Sequence, residues 1–237
     1  MLRLQAVNQF FGPKHILRDI SMELPPGQCT YVLGRNGVGK TTLVNCIMGH
    51  LPVSSGTVTW RPAGGAEELN LLQHPVEQRA ALGIGYVPQG RQVFSQLSVD
   101  ENLRVALLAG RNKTRQVPSM VYELFPGLHN MRHQRAGDLT ESGQQQLAIA
   151  RALVLEPELL ILDEPTGGFQ PSVVKEIGHN IRRLQRDFGL TLLVVEQQLP
   201  FTPSAGDRFC LLEGGCNVAQ GTLDQLDDSL IQTYLAV

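Results

Sequence analysis

Residues 34 to 42 read Gly34-Arg35-Asn36-Gly37-Val38-Gly39-Lys40-Thr41-Thr42, which satisfies G-x-x-x-x-G-K-[ST]. In such a run the glycines let backbone N–H groups turn inward around a polyphosphate, and a following helix adds the positive end of its dipole. Lys40 would reach the outer phosphates, and the Thr41 hydroxyl would ligate Mg²⁺. A second group of residues is Leu159-Leu160-Ile161-Leu162-Asp163-Glu164. Four apolar residues make a buried strand that delivers two carboxylates at its carboxyl end, where ligands of α/β sheets bind. Asp163 suits a magnesium ion held through water, and Glu164 suits an attacking water. An acidic pair after a strand is often plain turn chemistry; downstream of a phosphate loop it points to phosphoryl transfer.

These side chains need rigid carriers, and the surrounding pattern supplies them. Cys29 to Leu33 is a short apolar run of the kind covered on both faces of a sheet. It leads through the glycine loop into a helix over Thr41 to Met48, closed near Gly49, which makes a βα unit. Upstream, Leu2 and Leu4, then Ile20, Met22 and Leu24, alternate across a turn at Gly12-Pro13. Residues 52 to 80 predict a hairpin at Thr57 to Trp60 and then a loose polar segment, followed by a strand over Gly83 to Val87. From 98 to 135 the pattern turns helical, opening with a Ser98/Glu101 capping box, and Ser119 starts a second helix through Leu124. A third helix carrying Leu147, Ile149, Ala150 and Leu153 is stopped by Pro157. Strands at Leu159 to Leu162 and Thr191 to Val195 flank a long helix from about Ser172 to Phe188. A hairpin at Gly214-Gly215 and a short amphipathic helix close the chain.

Composition narrows the class. The chain has 237 residues, 42% hydrophobic and 18% charged, so it folds around a sizeable core. Twenty basic against 22 acidic residues give a net charge of -2, which excludes a binder that holds nucleic acid by charge alone. No apolar run approaches the roughly 18 residues of a membrane span, and the first residues lack an apolar signal core. Cys29, Cys46, Cys210 and Cys216 contain no CxxC pair, so reduced cysteines in a cytosolic protein are expected. The six histidines show no metal-ligand spacing.

Taken in order along nearly the whole chain, these residues resemble the ATP-binding subunits of ABC transporters. Phe11 matches the aromatic that stacks on adenine, although alone it reads equally as a core residue. Gln89, in Tyr86-Val87-Pro88-Gln89-Gly90, matches a glutamine loop that contacts Mg²⁺ and water. Asp163 and Glu164 match the metal-binding and catalytic acids, Thr166 to Gln170 the loop that crosses the dimer, and Gln197 the switch position. The resemblance implies a P-loop NTPase of the ABC ATPase type, α/β, with an amino-terminal antiparallel β subdomain. The whole chain would be one domain, its core formed by residues 1–90 and 155–237 and its helical subdomain by 91–154. The catalytic set would be Glu164, Gln89 and Gln197, and the metal set Thr41, Gln89 and Asp163. The resemblance is strongest to branched-chain amino acid and urea-type importers, with urea or short-chain amides as the expected cargo. It implies a cytoplasmic subunit on the inner face of the plasma membrane. Its partners would be a second ATPase chain, identical or related, membrane-spanning permeases, and through them a solute-binding protein.

One segment departs from the pattern. Where the family carries Leu-Ser-Gly-Gly-Gln, this chain has Leu139-Thr140-Glu141-Ser142-Gly143-Gln144. Residues 140 to 144 would contact the γ-phosphate held by the partner subunit, and Glu141 brings a negative charge there. At about 5 Å and an effective dielectric of about 20, each unit charge pair repels by about 3 kcal/mol. Two registers are open: Thr140 in the serine place, or a shift in which Ser142-Gly143-Gln144 makes the contact, Glu141 bulges out, and Ser142 with Gln145 forms a capping box. The first reading predicts intact ATP binding with impaired turnover. Glutamine at 197, where many members have histidine, leaves more of the catalytic role to Glu164. The rival classes are a nucleotide-dependent clamp and an ABC ATPase that works without a transporter.

Overall fold

The amino-terminal alternation folds as a hairpin in which β1 (Leu2–Phe11) and β2 (Lys14–Leu24) pair antiparallel across Gly12. Leu2 faces Leu24, Leu4 faces Met22 and Val7 faces Ile20, and all six side chains are buried. Described here, in a computed structural model, are residues 1–65, 67–110, 116–197 and 206–235. After β3 (Cys29–Leu33) and α1 (Lys40–Met48), β4 (Ser55–Trp60) returns to pair with β1, and β5 (Leu69–Asn70) adds to its other side. The result is a four-stranded antiparallel sheet of order β2-β1-β4-β5.

The central sheet comprises β3, β6 (Ile84–Val87), β7 (Leu159–Asp163), β8 (Thr191–Glu196), β9 (Arg208–Glu213) and β10 (Cys216–Thr222), in the order β10-β9-β3-β8-β7-β6. Every contact from β6 to β9 is parallel, and β10 closes the edge antiparallel. β3, β7 and β8 are buried throughout, as their unbroken apolar runs require. Strand geometry sends alternate residues to opposite faces. Leu159, Ile161, Leu193 and Val195 join α1 and the antiparallel sheet in one core, while Leu160, Leu162, Leu192 and Val194 join the helices in the other. Each such side chain contributes about 1.5–3 kcal/mol by leaving water, so the strands that carry the acids are held from both sides.

Between β6 and β7 the chain forms α2 (Val99–Leu107), α3 (Ser119–Leu124), α4 (Pro126–Asn130) and α5 (Glu141–Leu153). Ser98 and Glu101 form the expected capping box of α2. α4, which the apolar pattern does not announce, begins on Pro126, whose fixed φ suits a first helical position. The two last helices are α6 (Pro171–Arg186) and α7 (Asp228–Tyr234). Residues 71–82 are not loose, as the sequence suggests. Arg79, 2% exposed, donates to the carbonyls of Ile47, Leu71 and His74 at 2.9–3.0 Å, tying this stretch to the end of α1. The four cysteines are free thiols.

Candidate active site

β3 feeds directly into the glycine loop, and Gly39 caps α1 with a left-handed φ of 109°. That φ is one side-chain-bearing residues rarely adopt, and a Cβ at Gly39 would also crowd Leu17 Cδ2 at 2.9 Å, so glycine suits the place where the loop closes against β2. Lys40, the first residue of α1, is 4% exposed. Its Nζ donates to the Gly34 and Arg35 carbonyls at 2.8 and 3.0 Å and lies 3.7 Å from Glu164 Oε1. Burial lowers its pKa, and the neighbouring Glu164 pulls the other way. Val38 turns its side chain into the core, so only its main chain is offered to a ligand.

Opposite the loop, β7 ends in the two acids. Glu164 adopts φ 47°, a left-handed conformation costing a non-glycine residue about 1–3 kcal/mol, while its N–H donates to Val195 O at 2.9 Å. Its Oε2 accepts from Gln89 Nε2 at 2.8 Å and from Gln197 Nε2 at 3.0 Å. Lys40, Gln89 and Gln197 thus converge on one carboxylate. Burial pushes the Asp163 carboxyl up to about 6, countered by the Thr41 hydroxyl, whose Oγ1 lies 3.5 Å from Asp163 Oδ1. Asp163 Oδ2 is buried and has no hydrogen-bond partner. An orphaned carboxylate oxygen next to a threonine hydroxyl offers oxygen donors of the kind that suit a hard cation such as Mg²⁺.

A cavity of about 390 Å³ collects Phe11, Asn36, Gly37, Gly39, Lys40, Thr41, Thr42, Gln89, Glu164 and Gln197 on its wall. Phe11 is 50% exposed, which removes the core reading of that residue. Its neighbour Phe10 stacks on His15 with centroids 4.0 Å apart. Gly34, Arg35, Val38 and Asp163 lie off this wall, as do residues 140 to 144. Gln144 instead reaches a second cavity, of about 490 Å³, that shares Gln89, Glu164 and Gln197 with the first.

The head of α5 shows which residue caps the helix. The Thr140 side chain accepts from Gly143 N at 3.2 Å, so Thr140 is the cap and Glu141 the first helical residue. The alternative Ser142/Gln145 capping box does not form, because Ser142 already lies inside the helix. A Cβ at Gly143 would sit 3.3 Å from both Thr140 Oγ1 and Leu139 Cβ, so a larger residue there would crowd the cap slightly. Glu141 has a 70% exposed side chain, and its Oε2 pairs with Arg91 Nη1 at 3.1 Å, a countercharge absent from the repulsion worked out above.

Glu196 is a residue that sequence reasoning passes over. It is 4% exposed, and its Oε1 accepts from Thr166 N at 2.9 Å and Thr166 Oγ1 at 2.6 Å. Burial pushes its carboxyl up to about 7. The signal was present: a carboxylate ending the apolar run Leu192 to Val195.

Comparison with known proteins follows the same lines. A family model described as ABC transporter matches residues 17–167. The chain belongs to that family. This ABC transporter ATPase is 36% identical over 223 residues to the high-affinity branched-chain amino acid transport ATP-binding protein BraG of Pseudomonas aeruginosa, covering 94% of this chain and 93% of that one. It is 35% identical to the probable branched-chain amino acid transport ATP-binding protein LivF of Archaeoglobus fulgidus, over 95% of this chain and 94% of that one. It is also 34% identical to the Nod factor export ATP-binding protein I of Rhizobium meliloti, over 96% of this chain and 66% of that one. A solved ATP-binding cassette of an ABC transporter shares the fold, with a TM-score of 0.84 at 22% identity, covering 98% of this chain and 97% of that one. As an ABC ATPase, the chain is the ATP-hydrolysing subunit of a transporter. Among the described residues no helix is long and apolar enough to cross a membrane.

Proposed function

We propose that this ABC ATPase binds ATP with Mg²⁺ in the phosphate-loop cavity and hydrolyses it between two chains to drive a branched-chain amino acid importer. The observation that carries the catalytic part is the convergence of Lys40, Gln89 and Gln197 on Glu164. When nucleotide enters, Lys40 exchanges the Gly34 and Arg35 carbonyls for phosphate oxygens, a stronger charge-assisted pairing. Thr41, Gln89 and Asp163 would hold Mg²⁺, which offsets the charge that develops on the phosphates. Glu164, fixed by two glutamine amides, orients the attacking water and accepts its proton. Phe11 offers an exposed ring for the adenine.

Residues 140 to 144 stand apart from the phosphate loop of their own chain, which suits contact with a nucleotide held by a second ATPase subunit, identical or related. Membrane-spanning permeases and, through them, a solute-binding protein complete the assembly, with this chain on the cytoplasmic face of the inner membrane. The cargo reading rests on the two relatives named for branched-chain amino acid transport. The urea or short-chain amide cargo expected from the sequence has no comparable support.

Two measurements test this. Magnesium-dependent phosphate release by the purified chain, strongly reduced in Glu164→Gln, tests the site. Uptake of labelled leucine and of urea by cells with and without the chain tests the cargo: loss of urea uptake alone would overturn the branched-chain assignment.

A further inference from the structure

Arg91 lies two residues beyond Gln89 and occupies φ 52°, a conformation that a non-glycine residue keeps only when its surroundings hold it. Two contacts do so. Its Nη1 pairs with Glu141 Oε2 at 3.1 Å, and its guanidinium carbon stands 4.4 Å from the centroid of the Phe169 ring. Glu141 heads α5, and Phe169 belongs to the loop that follows Glu164. One side chain therefore joins three separate segments: the loop of Gln89, the head of α5, and the loop that follows Glu164. Gln89, two residues away on the same loop, donates to Glu164 Oε2 at 2.8 Å.

We propose that Arg91 is a positioning residue for ATP hydrolysis, clamping the loop of Gln89 between Glu141 and Phe169. On this account Glu141 occupies its unusual place because it is the anchor of the clamp. The planar guanidinium suits the task, since it pairs in its plane and stacks on its face at once. The inference rests on the proposed role of Gln89 and Glu164.

The test is turnover at saturating ATP, set beside ATP affinity measured by calorimetry. Arg91→Ala is expected to lower kcat about tenfold and leave ATP affinity unchanged, because a small displacement of an orienting group costs rate rather than ground-state binding. Glu141→Gln, on an exposed side chain that does not threaten folding, is expected to lower kcat in the same direction. Adding Arg91→Ala to it should cost less than Arg91→Ala costs alone. Arg91→Lys, which keeps the charge pair, should retain most of the rate. In a Gln89→Ala background Arg91→Ala should have no further effect, since it acts through that amide; a merely structural Arg91 would still be costly there. An unchanged kcat in Arg91→Ala and Glu141→Gln would overturn the inference, as would an equal loss in the Gln89→Ala background. A parent chain that gives no heat with ATP would instead remove the proposed site itself.

Discussion

Replacing Glu196 by glutamine should stabilise the protein above neutral pH and leave it nearly unchanged in acid. Glu196 ends β8 with its carboxyl buried, and burial, opposed by the bonds from Thr166 and aided by the nearby charge of Glu164, raises its pKa from 4.5 to about 7. For a carboxyl raised on folding the native state holds the proton more tightly than the unfolded chain. Stability is therefore lost as pH rises from about 4.5 to about 7, and the full cost applies above that. At about 1.4 kcal/mol per pH unit the cost of the charge comes to about 3 kcal/mol near pH 8. Glutamine keeps an oxygen for Thr166 N and Oγ1 but loses an acceptor for the Gln197 N–H, which offsets about 1 kcal/mol. A net gain of about 2 kcal/mol in urea unfolding near pH 8 is expected, shrinking to zero or a slight loss near pH 4. A gain of the same size at both values, or a loss near pH 8, would refute the reasoning, because the effect would then not come from burying a charge.

Lys40→Ala removes the cation that neutralises Glu164 and meets the phosphates, so calorimetric ATP affinity should fall by about a hundredfold, as losing a charged hydrogen-bonding partner of about 3 kcal/mol implies. Glu164→Gln should leave ATP affinity within a few-fold of the parent while steady-state phosphate release falls by roughly 10²–10⁴. At Asp163, pushed up to about 6, a proton competes with any bound cation, so magnesium-dependent ATP affinity should weaken as pH falls through about 6; Asp163→Asn should weaken the magnesium dependence and flatten that pH profile to the part set by the nucleotide's own terminal phosphate.

The parts of the site that are legible in the sequence share one property: each is encoded within a few consecutive residues. The phosphate loop is a contiguous run between a buried strand and a helix, and the acid pair sits at the end of four apolar residues, so local pattern and final position coincide. The amino-terminal hairpin is legible only in part: the alternation pairs Leu2 with Leu24 and Leu4 with Met22, but the register then shifts between Leu4 and Val7 and again towards the turn, which a period of two does not announce. Arg79, Arg91 and Glu196 behave differently, because their meaning lies in what they touch. Arg79 is a surface-type residue by composition and becomes structural only because three carbonyls from two segments surround it. Arg91 gains its role from Glu141 and Phe169, distant along the chain, and Glu196 from Thr166. The head of α5 lies between these extremes. Thr140 and Ser142 both suit a cap by residue type, and the folded chain places the cap at Thr140, whose hydroxyl accepts from Gly143 N at 3.2 Å. With that register fixed, Glu141 falls where Arg91 can reach it, so a departure that reads as a stray charge in the linear sequence becomes half of a contact in space. The cargo is legible in neither, for no residue read from the sequence or brought together in the fold is tied to a transported solute.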